Sequence, residues 1–150
     1  ETIHDPGTLD GGDIMMTGSH FYIGLSDRTT QEGANQLISI LKKHTLTGST
    51  IDKFKILHLK TGMSYLEYNN LLLSETFPTH PDLNRFRIMT VPKEEAYAAN
   101  CLWINASVLV PKGFPKVKAM VETKGYPVIE VDVSEFRKLD GGLSCLSLRY

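Results

Sequence analysis

The chain has 150 residues, a formal net charge of −1, and hydrophobic and charged contents of 41% and 22%, ordinary values for one globular domain. This balance leaves no electrostatic footprint for nucleic acid or for an anionic membrane surface, and no apolar run approaches the ~18 residues of a bilayer span. The start carries no signal-peptide pattern. The two cysteines, without a regular framework or zinc-type spacing, read as reduced thiols of a cytoplasmic protein. A single Cys101–Cys145 disulfide stays open at this level. Glu1-Thr2-Ile3-His4-Asp5-Pro6-Gly7 has no initiator methionine and reads as the interior of a longer chain.

In chain order, Ile14-Met15-Met16 and His20-Phe21-Tyr22-Ile23 are short apolar runs around Gly18-Ser19, a pair suited to a type II′ hairpin turn. Thr29 and Glu32 match a capping box. Ala34, Leu37, Ile38 and Leu41 follow at helical spacing, which predicts an amphipathic helix over about 30–44. Phe54 to His58 reads as the next strand. The order strand, strand, helix, strand then recurs. Tyr65 to Tyr68 and Leu71 to Leu73 flank Asn69-Asn70, a short helix runs from about Pro81 to Phe86, and Arg87 to Val91 is a strand. Cys101 to Ile104 and Val108 to Val110 form a hairpin around Asn105-Ala106-Ser107. Val117, Met120 and Val121 mark a helix ending at Gly125, and Val128 to Val131 follows as a strand. The chain is therefore expected to be α/β, with three ββαβ modules at about 8–58, 63–91 and 98–133 and a hairpin at 138–150. Modules that cannot bury a face alone stack or close into a ring.

Chemistry concentrates beside two glycine pairs. In Asp140-Gly141-Gly142-Leu143-Ser144-Cys145 the glycines allow strained backbone and close approach, and a polar strand then presents one thiol. That is how a nucleophile is delivered, although a turn followed by a small buried cysteine fits the local sequence too. Asp10 and Asp13 flank the other pair in Leu9-Asp10-Gly11-Gly12-Asp13, and His58 ends its strand. Thiol, imidazole and carboxylate supply a nucleophile, a proton shuttle and an orienting anion when strand ends converge. Taken singly, Asp10 also reads as a turn residue and His58 as a hydrogen-bonded core residue. Arg28, just ahead of a helix, is either a fork for a carboxylate or a surface charge. Cys101 lies in an alternating apolar run and reads as core. His4, His20, His44 and His80 have loop or surface contexts.

Five segments in order resemble dimethylarginine dimethylaminohydrolase, in its bacterial form. They are Leu9-Asp10-Gly11-Gly12-Asp13, Phe21-Tyr22-Ile23-Gly24-Leu25-Ser26 with Arg28-Thr29, Leu57-His58-Leu59-Lys60, Ala98-Ala99-Asn100-Cys101, and Asp140 to Cys145. This family of guanidino-group-modifying enzymes has a pentein fold, a ring of five ββαβ modules. The resemblance implies that this chain supplies about three of them, as the C-terminal part of one catalytic domain. The acidic residues that grip the guanidinium, a second carboxylate-binding arginine and part of the lid would lie in the other modules, on the same precursor or a second chain.

The resemblance further implies Cys145 as nucleophile, His58 as catalytic histidine, Asp10 as its acidic partner and Arg28 as binder of the substrate carboxylate. It implies a substrate-facing backbone at Leu139, with Asp140 and Ser144 lining the site. The expected reaction converts N-methylated arginine to citrulline and a methylamine without cofactor. Zinc bound between Cys145 and His58 would be inhibitory, since two ligands do not make a catalytic metal site. Arginine deiminase, or a non-catalytic fragment that needs a complementing chain, are the alternatives. Exposed module edges imply that the chain alone is unstable or oligomeric, with a homodimer as one outcome.

Overall fold

The structure, a computed structural model, describes residues 1–52 and 54–148. The chain divides into two compact units, Glu1–Lys60 and Thr61–Tyr150, and the ββαβ order appears once in the first and twice in the second, where the earlier copy has a 3₁₀ turn in place of the helix. In the first unit β1 (Ile14–Thr17) and β2 (His20–Gly24) pair antiparallel, with Thr17 opposite His20. Gly18 takes a φ of 67° in the two-residue turn between them, as a II′ turn requires. The helix α1 (Gln31–Lys43) crosses back to β3 (Thr47–Ile51), which lies parallel to β2. Met15, Tyr22, Ile23, Ala34, Leu41 and Ile51 are buried and form the apolar interior of this module.

Two expectations are corrected here. The strand after α1 is Thr47–Ile51, whereas residues 54–58 are irregular. Lys53, within the stretch 8–58, lies outside the described residues. Thr47-Gly48-Ser49-Thr50 is a polar edge strand, so it lacks the apolar alternation that marks a half-buried one. The helix cap is Thr30, whose side chain accepts from the Gly33 backbone N–H at 3.2 Å, and not Thr29. The Thr29 hydroxyl donates instead to Asp13.

The second unit repeats the topology. β4 (Met63–Tyr65), β5 (Asn70–Ser74) and β6 (Arg87–Val91) form one sheet, with a 3₁₀ turn at Pro81–Arg85 before β6. β4 lies earlier than the apolar reading of 65–68, because Glu67, Tyr68 and Asn69 have φ values of 65°, 49° and 65° and turn the chain. β7 (Leu102–Ile104), β8 (Ser107–Pro111), helix α3 (Pro115–Thr123) and β9 (Val128–Val131) complete the third module. Asn105 and Ala106 have φ of 48° and 63°, the two positive values of a I′ hairpin turn. Both modules feed one core. Leu66, Leu72, Met89 and Val91 pack with Cys101, Val108, Val110, Val117 and Val121.

α3 has no side-chain cap of its own at Phe114. Glu95, 6% exposed, accepts the backbone N–H groups of Lys116 and Val117 at 3.1 and 2.8 Å, satisfying two of the orphan donors of that first turn. Glu95 belongs to a 3₁₀ segment, Lys93–Ala99, that leads into Asn100. Among the described residues no helix is long and apolar enough to cross a membrane.

Candidate active site

The residues expected to carry chemistry form one cluster in each unit. In the first, the Asp10 carboxylate caps a single 3₁₀ turn, Gly11–Asp13, by accepting the Gly12 N–H at 2.7 Å. The turn reading and the functional reading of Asp10 are therefore compatible. Its Oδ2 lies 3.9 Å from Arg28 Nη1, and the two side chains are 33% and 60% exposed. Such a pair adds little stability, but it holds a carboxylate and a guanidinium open to solvent side by side.

His58 is buried beside them, in the irregular segment just before the one-turn helix α2 (Leu59–Gly62). Its Nδ1 is 3.8 Å from Asp10 Oδ1 and 3.4 Å from Asp13 Oδ1. The ring lies close against Gly12, where an added Cβ would lie 2.7 Å from His58 Cγ. Gly12 is thus fixed by close approach, and its φ is not in the left-handed region.

Asp13 is fully buried, and the sequence reading gave it no role. It accepts from Ser26 Oγ and Thr29 Oγ1, both at 2.7 Å, and from the Leu59 backbone N–H at 3.0 Å. A signal for it exists in the sequence. Asp13 directly precedes the apolar strand Ile14-Met15-Met16 and so enters the interior with it, where a carboxylate must find donors.

The second cluster is the segment around Cys145. Helix α4 (Ser134–Arg137) continues into a Schellman-type ending: Asp140 N–H bonds Arg137 O at 3.1 Å, and Gly141 N–H bonds Phe136 O at 2.9 Å. Asp140, with a φ of 59°, occupies the left-handed position that the sequence reading assigned to the glycines. The glycines are needed for room. A Cβ on Gly142 would lie 2.5 Å from Asn100 Nδ2, and one on Gly141 3.0 Å from Phe136 O. Residues 143–146 then form a turn in which the Cys145 and Leu146 N–H groups bond Gly142 O at 3.0 and 3.1 Å. Cys145 is therefore exposed on a tight turn, and among the described residues of 138–148 no strand of the expected hairpin is formed. The last two residues of that stretch, 149 and 150, lie outside the described residues. Leu139 is 87% exposed and Asp140 is exposed, whereas Ser144 is partly covered.

Two residues brace this turn. Asn100 is buried, and its Oδ1 accepts the Ser144 N–H at 2.9 Å. Tyr97 donates its hydroxyl to Gly141 O at 2.6 Å while Arg137 stacks over its ring at 4.7 Å. Burial pushes the Tyr97 phenol up from its ordinary value; the Arg137 guanidinium opposes this, and the nearby Cys145 adds to the rise. Tyr97 thus stays a hydroxyl donor across neutral pH. The lone amide in Ala98-Ala99-Asn100-Cys101 was the available sign that this buried stretch has a polar partner to hold. Cys101 is 3% exposed, and its thiol donates to Ala98 O at 3.1 Å. Burial alone pushes that thiol far up, which makes it an inert core residue.

A family model described as arginine deiminase matches residues 1–108. The chain is 55% identical over 150 residues to N(G),N(G)-dimethylarginine dimethylaminohydrolase of Pseudomonas aeruginosa, covering 100% of this chain and 59% of that protein. The enzyme of the same name from Streptomyces coelicolor is 31% identical over 147 residues, with 98% of this chain and 56% of that protein covered. The chain thus spans a little over half the length of these relatives. A solved structure of the Pseudomonas aeruginosa enzyme matches with a TM-score of 0.97 and 54% identity, covering 100% of this chain and 59% of that one. An amidinotransferase from Microseira wollei shares the fold at a TM-score of 0.84 and 18% identity over 95% of this chain and 47% of that one. The ββαβ modules are accordingly of the pentein type, as the sequence resemblance implied. The chain belongs to the arginine deiminase family.

Proposed function

We propose that the protein of which this chain is part hydrolyses N-methylated arginines to citrulline and a methylamine, with Cys145 as nucleophile. The observation that carries this reading is the likeness of this chain, over all its 150 residues, to 59% of the Pseudomonas aeruginosa enzyme. One solved structure of that enzyme is a cysteine-to-serine variant complexed with citrulline, and another solved structure, of a dimethylarginine dimethylaminohydrolase, is a histidine-to-glycine variant as an adduct with S-methyl-L-thiocitrulline. A cysteine and a histidine, each substituted in a complex or adduct with a citrulline-like ligand, match the residue types that the sequence put forward. The exposed thiol of Cys145 and the buried imidazole of His58 support their separate roles.

The Cys145 thiolate attacks the guanidinium carbon of the substrate, forming a C–S bond. His58 delivers a proton to the departing nitrogen, so that a neutral dimethylamine or methylamine leaves and a thiouronium remains on sulfur. Water then adds to that carbon while His58 takes its proton. The C–S bond breaks, the thiolate returns and citrulline is released. Arg28 holds the α-carboxylate and fixes the reach of the guanidinium to the sulfur. Asp10 holds the His58 imidazole and pairs with the substrate cation, the exposed backbone at Leu139 meets the amino-acid end, and Asp140 and Ser144 line its approach. The remaining modules of the five-module ring, and the acidic grip on the guanidinium, come from sequence outside this chain. Isolated, this chain is accordingly expected to be unstable or self-associating, and it acts in the cytoplasm.

The test is to incubate the full-length protein with asymmetric dimethylarginine and quantify citrulline and the released amine. Equal amounts of citrulline and dimethylamine support the reading. Ammonia from arginine, with methylated substrates untouched, would instead assign a deiminase.

A further inference from the structure

We infer that Tyr97 is a positioning residue for the chemistry at Cys145: its hydroxyl, steadied by the Arg137 guanidinium on its ring, fixes the Gly141 carbonyl from which the thiol-bearing turn starts. The inference rests on the reading of Cys145 as nucleophile given above.

All of these residues lie in the second unit, Thr61–Tyr150. Tyr97 and Asn100 stand three residues apart at the end of the 3₁₀ segment Lys93–Ala99. Side chains at that spacing on a 3₁₀ helix eclipse one another, so both reach the same neighbour. Asn100 Oδ1 takes the Ser144 N–H at 2.9 Å, and the Tyr97 hydroxyl donates to Gly141 O at 2.6 Å, short for a hydroxyl donor. The turn is thus held on both sides of Gly142, whose own carbonyl accepts the Cys145 and Leu146 N–H groups.

The Tyr97 ring is itself fixed. The Arg137 guanidinium carbon lies 4.7 Å from its centroid and 5.3 Å from that of Phe114, and the two rings stack at 5.5 Å and 29°. Phe114 is buried in the core at the start of α3, so the stack rests on a firm base. Arg137 ends α4, and Gly141 closes the Schellman-type turn that follows. One short stretch therefore grips Tyr97 twice, by its guanidinium on the ring face and by its carbonyl on the hydroxyl. Burial keeps the phenol protonated across neutral pH, so it donates without placing a second charge beside the thiol. Without the hydroxyl, the ring and its stack remain, but Gly141 is released and the sulfur with it. A nucleophile shifted by a fraction of an ångström loses rate while the fold survives.

Tyr97→Phe in the full-length protein tests this, since it removes one oxygen and keeps the ring. Hydrogen exchange at the Cys145 and Leu146 amides should be faster by about two- to tenfold, the change that one hydrogen bond carries. With asymmetric dimethylarginine, kcat should fall about 10–10²-fold and KM stay within about threefold. Alkylation of Cys145 by iodoacetamide, which needs no aligned substrate, should keep its rate within about twofold. Arg137→Ala should lower kcat about two- to fivefold, as an exposed cation–π contact allows. It should add nothing to Tyr97→Phe in the double variant, because it acts through the hydroxyl. If Tyr97→Phe does not fold, Arg137→Ala carries the test, and wild-type kcat in it overturns the inference. Unchanged kcat in Tyr97→Phe would overturn it too, as would a raised KM at constant kcat, unchanged exchange at both amides, or a full further loss in the double variant. Alkylation that slows as much as kcat would also overturn it, by placing the hydroxyl's effect on the thiol's own reactivity. If the wild type forms no citrulline, faster exchange in Tyr97→Phe sinks the proposed function alone and leaves the brace on the turn standing.

Discussion

The side-chain oxygen of Asn100 accepts the backbone N–H of Ser144 at 2.9 Å, 44 residues away in sequence, and so fixes the turn one residue before Cys145. The amide is buried against Gly142, which has room for it only because it lacks a Cβ. A side chain on one 3₁₀ segment thereby sets the path of the thiol-bearing turn.

Replacing Asn100 by Leu leaves the Ser144 N–H without its acceptor in a partly covered turn, a loss of about 1–3 kcal/mol. We expect kcat for citrulline formation to fall at least tenfold in the full-length protein, because a misplaced nucleophile costs more than a loosened fold. Asn100→Asp keeps the accepting oxygen and should recover part of the rate. Steady-state kinetics on both variants measure this, and equal activity of Asn100→Leu and wild type would remove Asn100 from the account.

The two cysteines should differ sharply in chemistry. Burial raises the Cys101 thiol far above its ordinary value, so almost none is thiolate near neutral pH. Cys145 is exposed. Brief iodoacetamide treatment at neutral pH, followed by peptide mass mapping, should find the adduct on Cys145 and none on Cys101. The same burial has a sign for stability. The unfolded chain ionises Cys101 at its ordinary value while the folded chain does not, so its contribution to stability falls as pH rises past that value. Denaturation midpoints of wild type and Cys101→Ala should therefore converge at alkaline pH.

Glu95 stands in for a missing helix cap. Glu95→Ala removes the acceptor for Lys116 and Val117 N–H at the start of α3 and should destabilise the protein by about 1–3 kcal/mol. Glu95→Gln keeps one accepting oxygen and should lose less. Urea denaturation of the full-length variants measures both, and no change for Glu95→Ala would mean that water caps α3 instead.

Most of the modular plan was readable because its signals are local. Arg87–Val91 and Val128–Val131 are strands as their β-branched runs suggest, and the Gly18-Ser19 and Asn105-Ala106 turns each open on a residue, Gly18 or Asn105, that tolerates positive φ. What failed depended on tertiary partners. Thr29 fits a capping box by spacing, yet Asp13 takes its hydroxyl and the cap passes to Thr30. Phe54 to His58 looks like a strand by composition, but the strand that pairs with β2 is the polar run Thr47–Ile51. Asp13 and Asn100 were passed over for a related reason. Each works by bracing other groups from inside the fold, and such a role leaves no pattern in the nearby sequence.

The central claim is that Cys145 becomes covalently joined to the substrate carbon. Acid quenching of the full-length protein during turnover of asymmetric dimethylarginine, followed by mass mapping, tests it directly. The account predicts an adduct confined to the Cys145 peptide, with the mass of the thiouronium, and its loss together with turnover in Cys145→Ser. Turnover that persists in Cys145→Ser, or an adduct on any other residue, would contradict it.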